Sequence, residues 1–246
     1  MSAPTPRKSA PASKTARTST KGRAPRADKH ATMRKETLTE QAYAQIEEAI
    51  VTLQIPPGSI VSELSLSEMT GIGRTPIREA IQQLAREHLI LILPQRGLLV
   101  PEIDVKKQLK LLRTRREVER LVCRSAAKSA TPEERDLFAQ LAAEFEEAAA
   151  ADDDVTFVRL DREFNELCLS TARNEFAEGA MRLMHGLARR FWYNHYKQAA
   201  DLPEVARLHG AVAKEIADGN VDGAGHTLDA LLDNIESFTR ATITEI

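Results

Sequence analysis

Gly71-Ile72-Gly73-Arg74-Thr75-Pro76-Ile77-Arg78-Glu79-Ala80-Ile81-Gln82-Gln83-Leu84 decides the fold of this chain, because it reads as a turn followed by the second helix of a helix-turn-helix. Gly71 supplies the permissive backbone that a tight turn between two helices needs. Thr75 is placed to cap the helix, Pro76 suits its first position, and the helix dipole favours Glu79 in the opening turns. Ile77, Ala80, Ile81 and Leu84 recur at i, i+3, i+4 and i+7 and make one narrow apolar stripe. Thr75, Arg78, Gln82 and Arg86 therefore face outward, with the donors and acceptors that meet phosphates and base edges.

Working outward, Leu64, Leu66 and Met69 predict a short apolar helix upstream. Tyr43, Ile46, Ile50 and Leu53 predict a longer one from Leu38, stopped by Pro56-Pro57-Gly58. Ile90-Leu91-Ile92-Leu93, Pro94-Gln95-Arg96-Gly97 and Leu98-Leu99-Val100 read as a β-hairpin with a basic tip, and Ser59-Ile60-Val61-Ser62 as a short strand pairing with it. The combination is a winged helix-turn-helix.

Beyond Val100 the pattern changes to amphipathic helices at about 104–128, 132–150, 154–171, 174–197, 202–218 and 221–242, punctuated by Thr131-Pro132, Asp201-Leu202-Pro203 and Gly219-Asn220. The expected fold is mainly α: a winged helix-turn-helix followed by an all-α bundle of six or seven helices. Residues 1–35 form a basic tail too poor in large apolar side chains to order itself, 36–103 the first domain, and 104–246 the second.

Charge is unevenly spread. The tail holds ten Lys or Arg against one acid, and the remainder carries 24 bases and 35 acids. Between residues 60 and 100 four Arg balance four Glu, so placement rather than net charge points to nucleic acid: all four Arg lie between the recognition helix and the wing. Cys123 and Cys168 are too few for a disulfide framework and sit in apolar helical patterns, which predicts a reducing, cytoplasmic setting. No apolar run approaches a membrane span.

Three ionisable residues interrupt apolar stripes in the bundle. Arg115 lies among Leu111, Val118 and Val122, Asp161 among Phe157, Phe164 and Cys168, and His209 among Val205, Val212 and Ile216. Buried charges of this kind neutralise one another, bind a metal, or await a charged ligand. Phe191, Trp192, Tyr193 and Tyr196 form an aromatic cluster best read as packing.

The segment Arg74-Thr75-Pro76-Ile77-Arg78-Glu79-Ala80-Ile81, with Leu84 and then Pro94-Gln95-Arg96-Gly97-Leu98-Leu99-Val100, resembles the DNA-binding domain of GntR-type bacterial transcriptional regulators from about Leu38 to Val100. Gly73 departs from the Ser or Thr usual there. The bundle resembles the FCD-type ligand-binding domain of the FadR-like branch over about Val105 to Phe238, through Arg115 with Glu119, Asp161-Arg162-Glu163-Phe164, Asn174, and His209 before Ile216.

The resemblance implies a homodimeric, ligand-responsive regulator, a repressor rather than an activator and not an enzyme, that binds a short palindromic operator in double-stranded DNA. Arg74, Thr75, Arg78 and Gln82 would contact DNA from the recognition helix, and Arg96 and Gly97 from the wing. Arg115, Asp161, Asn165 and His209 would receive a small effector, a carboxylate. Many members of that branch hold a divalent metal (Zn, Ni or Mn) with an Asp, a His four residues on, and two later His. Asp161 and His209 match, Asn165 replaces the first His, and Leu231 replaces the last. A metal on Asp161, Asn165 and His209 and a metal-free pocket both stay open, with His185 and His226 assigned to outer or flanking faces. Two other classes compete: an effector-free nucleoid-like DNA packer using the tail, and a helical-bundle metalloenzyme, which lacks a Glu-x-x-His pair and a clear nucleophile.

Overall fold

Capping side chains mark where most of the helices begin. In the computed structural model, which describes residues 36–199 and 201–242, α1 (Leu38–Val51) starts at Thr37, whose hydroxyl accepts from the Glu40 N–H while the Glu40 carboxylate accepts from the Thr37 N–H. Ser62 and Ser65 make the same reciprocal cap for α2 (Glu63–Thr70), and that helix ends at Gly71 in the left-handed region, φ +69°. The basic tail lies outside the described residues.

The recognition helix α3 (Arg74–Arg86) begins earlier than its sequence suggests. Its N-cap is Gly73, with no side-chain cap, and Thr75 and Pro76 occupy the second and third helical positions. The shift leaves no hydrogen bond unmade, because the first four N–H groups of any helix lack an internal partner and Pro76 is still among those positions. The Ile77 N–H opens the ladder on the Gly73 carbonyl at 3.3 Å. Ile77, Ala80, Ile81 and Leu84 are buried as their spacing requires. In two-turn α2 only Leu66 is buried, whereas Leu64 and Met69 are exposed, since so short a helix presents one residue to α1 and α3.

The wing is a three-stranded antiparallel sheet in the order β1-β3-β2: β1 (Ile60–Val61), β2 (Leu91–Leu93) and β3 (Gly97–Leu99), with Leu99 facing both Ile60 and Leu91 across the strands. Gly97 has φ +100°, and a Cβ there would lie 2.9 Å from the Val61 carbonyl oxygen. Only glycine fits both the backbone and the space. A core of Ile46, Ile50, Leu66, Ile77, Leu84 and Leu89 holds α1–α3 and the wing together.

Six further helices follow: α4 (Val105–Ser129), α5 (Pro132–Ala151), α6 (Asp154–Ala172), α7 (Glu175–Ala199), α8 (Leu202–Ala217) and α9 (Val221–Ala241). Asp104, Thr131, Asp153, Asp201 and Asn220 cap five of them. Phe138, Phe145, Leu160, Met181 and Ile216 are wholly buried, each contributing on the order of 1.5–3 kcal/mol relative to exposure. Helices α5 and α8 approach closely at Gly210, where a Cβ would sit 3.2 Å from the Ala142 carbonyl oxygen. The aromatic cluster packs as expected at its base: Trp192 lies 5.9 Å from Phe157 and 5.1 Å from Phe238 between ring centres, and Tyr193 is exposed. No helix among the described residues is long and apolar enough to cross a membrane.

Candidate nucleic-acid interface and effector pocket

The outward side of α3 is polar. Arg74, Thr75, Arg78 and Gln82 are all exposed there, as is Arg96 at the wing tip, beside the half-buried Gly97. Arg78 Nε donates to Glu63 Oε2 at 2.7 Å, with both side chains substantially in solvent. A surface pair of this kind is worth about 0–1 kcal/mol, so a phosphate or base edge can displace the carboxylate. Glu79, next to Arg78, accepts from the Thr39 hydroxyl at 2.6 Å and ties α3 to α1.

In the bundle the three ionisable residues turn inward, and they fall into two separate pairs. Arg115 binds Glu119, one turn along α4, with Nε 2.7 Å from Oε1 and both side chains almost wholly buried. Burial pushes the Glu119 carboxyl up, and the adjacent Arg115 charge only partly offsets it. Its other oxygen, Oε2, is buried without a hydrogen-bond partner.

Asp161 pairs instead with His209, whose Nε2 lies 3.1 Å from Oδ1, while Nδ1 meets the Val205 carbonyl oxygen at 2.8 Å. Burial raises the Asp161 carboxyl, but the His209 hydrogen bond and the His209 and Arg115 charges bring it below its ordinary value. The His209 ring stacks on Phe145 at 5.3 Å and meets the edges of Phe157 and Phe164. Asn165 Nδ2 donates to Asp161 Oδ1 at 3.1 Å and to the Asp161 carbonyl at 2.8 Å.

Arg115, Glu119, Asn165 and His209 line one cavity together with Cys123, Cys168 and the apolar Leu228 and Leu231. Its volume is about 20 Å³, room for roughly one water. An organic ligand must therefore open it. His185 on α7 also lines it, which corrects its assignment to an outer or flanking face. The inward side of α7 is wider than one stripe, and His185 stands one turn after the buried Met181, a spacing that could have found it. Burial, followed by the Arg115 charge, pushes its imidazole down to about 4. His226 is exposed, as expected.

Asp161, Asn165 and His209 do not present a metal-ligand set. Both ring nitrogens of His209 are engaged, the Asn165 amide turns its donor rather than its oxygen to Asp161, and Leu231 offers no lone pair. Among the described residues no group of three or more His, Cys, Asp or Glu side chains is placed to hold an ion.

The pocket and the winged helix meet on one stretch of α7. Leu187 packs on the winged-helix core, a Cβ on Gly186 would lie 2.6 Å from Leu89 Cδ1, and Arg189 clasps Glu47 and Glu48 of α1. This joint left no sequence motif, because its partners are about 140 residues apart.

Known proteins agree with this architecture. The model for bacterial regulatory proteins of the gntR family matches residues 38–100, and the FCD domain model matches residues 110–234, half of the chain. The HTH-type transcriptional repressor RspR of Escherichia coli is 26% identical over 82% of this chain and 89% of its own length. An uncharacterized HTH-type transcriptional regulator of Bacillus subtilis, YdhC, is 23% identical over 75% and 83%. In structure, E. coli McbR/YncC superposes with a TM-score of 0.72 at 18% identity, covering 85% of this chain and 99% of that one. A putative GntR regulator from Rhodococcus sp. RHA1 gives 0.61 at 20%, covering 82% and 97%. With the winged helix, the buried polar pocket and both family models in agreement, the chain belongs to the GntR family of bacterial regulatory proteins with an FCD domain, and is a helix-turn-helix transcriptional regulator rather than an enzyme.

Proposed function

We propose that this protein is a homodimeric repressor that binds a short palindromic operator and releases it when a small carboxylate enters the bundle. In this reading residues 1–35 are an accessory basic tail, 36–103 the DNA-binding domain and 104–246 the effector and dimerisation domain. Arg78 and Arg74 contact bases or phosphates, Thr75 and Gln82 supplement them, and Arg96 and Gly97 carry the wing into the minor groove. Arg115 anchors the carboxylate.

The observation that carries the reading is a buried guanidinium on the wall of a small cavity, one helix away from the winged helix. A ligand that binds better to one arrangement of α7 than to another shifts the population of DNA-binding states by that difference in affinity. Asn165 and His209 line the cavity, and Asp161 stands behind them, bound to both.

Footprinting on DNA flanking the protein's own gene tests this. One discrete protected site with two-fold symmetry, lost on adding the effector, is the expected result. Uniform protection with no boundary would make the protein an effector-free DNA packer.

A further inference from the structure

The buried ion pair on the pocket wall carries no net charge. Arg115 balances Glu119. Asp161 is already engaged, with Oδ1 3.1 Å from His209 Nε2 and accepting from Asn165 Nδ2. His185, pushed down to about 4, is neutral near pH 7. A bare carboxylate entering this pocket brings an unbalanced negative charge beside Glu119 and near Asp161, and burying an uncompensated charge is strongly unfavourable.

Two unused valences sit on the same ion pair. Arg115 engages Glu119 through Nε, which leaves its terminal nitrogens for a second carboxylate. Glu119 Oε2 is a buried acceptor on the cavity wall with no hydrogen-bond partner, and an orphaned acceptor of this kind is rare enough to need a reason. A donor placed there removes the penalty, and a cationic donor also restores the charge balance.

We infer that the effector is a zwitterion, a 2-amino acid with a small apolar side chain, whose carboxylate meets Arg115 and whose ammonium meets Glu119 Oε2. The close spacing of the two groups in such a molecule matches two sites on one ion pair, and Val122, Leu228 and Leu231 give the side chain an apolar wall. This rests on the proposed reading of the cavity as the effector site and of Arg115 as its carboxylate anchor.

Four compounds on one three-carbon skeleton separate the possibilities: alanine (both enantiomers), lactate, propionate and 2-aminopropane, titrated into the full chain at pH 7 by thermal shift and calorimetry. Alanine should bind best, by roughly tenfold or more over propionate, the difference expected for one charge-assisted hydrogen bond. Glu119→Gln should bring alanine down to the level of propionate while leaving propionate at least as strong as in the wild type. Lactate or propionate equal to alanine in the wild type overturns the zwitterion and leaves the carboxylate anchor standing. A best response to 2-aminopropane overturns the anchor, and no response to any of the three carboxylates overturns the pocket as a carboxylate site. The wild-type series decides the matter even if the variant does not fold.

Discussion

Arg189 of α7 holds Glu47 of α1 through one terminal nitrogen, Nη1, at 2.9 and 3.0 Å from the two carboxylate oxygens, one turn after His185 reaches the bundle cavity. Glu47 is nearly buried, and burial pushes its carboxyl up despite the Arg189 charge. The pocket wall and the clasp on the winged helix thus ride on successive turns of one helix.

The first prediction concerns that clasp. Arg189→Ala leaves Glu47 without its counter-charge and should destabilise the protein by about 1–3 kcal/mol, less than a fully buried pair because Arg189 is partly in solvent. It should also uncouple the two functions: operator affinity measured with and without effector should differ less than in the wild type. An unchanged ratio would place the coupling elsewhere.

The second concerns DNA. Arg78 lies opposite the buried stripe of α3 and is held by the exposed Glu63. Arg78→Ala should leave the melting temperature unchanged and weaken operator binding by roughly 1–3 kcal/mol with relaxed sequence preference if the side chain reads a base. Equal loss on operator and random DNA, with a shallower salt dependence, would make it a phosphate contact.

Much of this was legible in the sequence, because helix periodicity and caps are local. The ends of α4–α9 fall within a few residues of where the apolar spacing and Thr131-Pro132, Asp201 and Asn220 put them. Local signals also identified Arg115, Asp161 and His209 as inward. What they could not fix was pairing. Arg115 could reach Asp161 or Glu119 by spacing alone, and the choice of Glu119 depends on how α4 is rotated against α6. Thr75 misled for a related reason: a good capping residue two positions inside a helix looks the same on paper as one at its end, and only the turn at Gly71 decides which. His185, Arg189 and Glu47 were out of reach as a group, since nothing local ties α7 to α1.

The third prediction follows from His185. In the unfolded chain its imidazole takes up a proton near pH 6.5, whereas in the folded protein it does so only near 4. Protons therefore favour the unfolded state throughout that window, and stability contributed above pH 6.5 is lost as the pH falls toward 4, by up to about 3 kcal/mol. His185→Gln should flatten the stability profile between those values. A variant with the wild-type slope would assign the loss to other groups.

The fourth is that the purified protein carries less than one equivalent of tightly held divalent metal, since Asp161, Asn165 and His209 spend their hydrogen-bonding groups on one another and on the backbone. Chelation should leave its melting temperature unchanged. Elemental analysis that returns a full equivalent resistant to mild chelation would refute the metal-free reading.

The last prediction separates charge from geometry at Arg115. Its guanidinium is buried with Glu119, so Arg115→Ala would strand a carboxylate and confuse loss of ligand with loss of fold. Arg115→Lys keeps the charge that Glu119 requires but replaces a planar fork with a single ammonium, which cannot donate two parallel hydrogen bonds to a second carboxylate. The variant should fold with a melting temperature near that of the wild type and bind operator normally. It should lose at least tenfold in effector affinity, as roughly 1.4 kcal/mol for one forfeited charge-assisted bond implies. Calorimetry with the same carboxylates on both proteins reads the difference directly. If the lysine variant responds to them as strongly as the wild type, the Arg115–Glu119 pair is a structural brace and the carboxylate binds elsewhere.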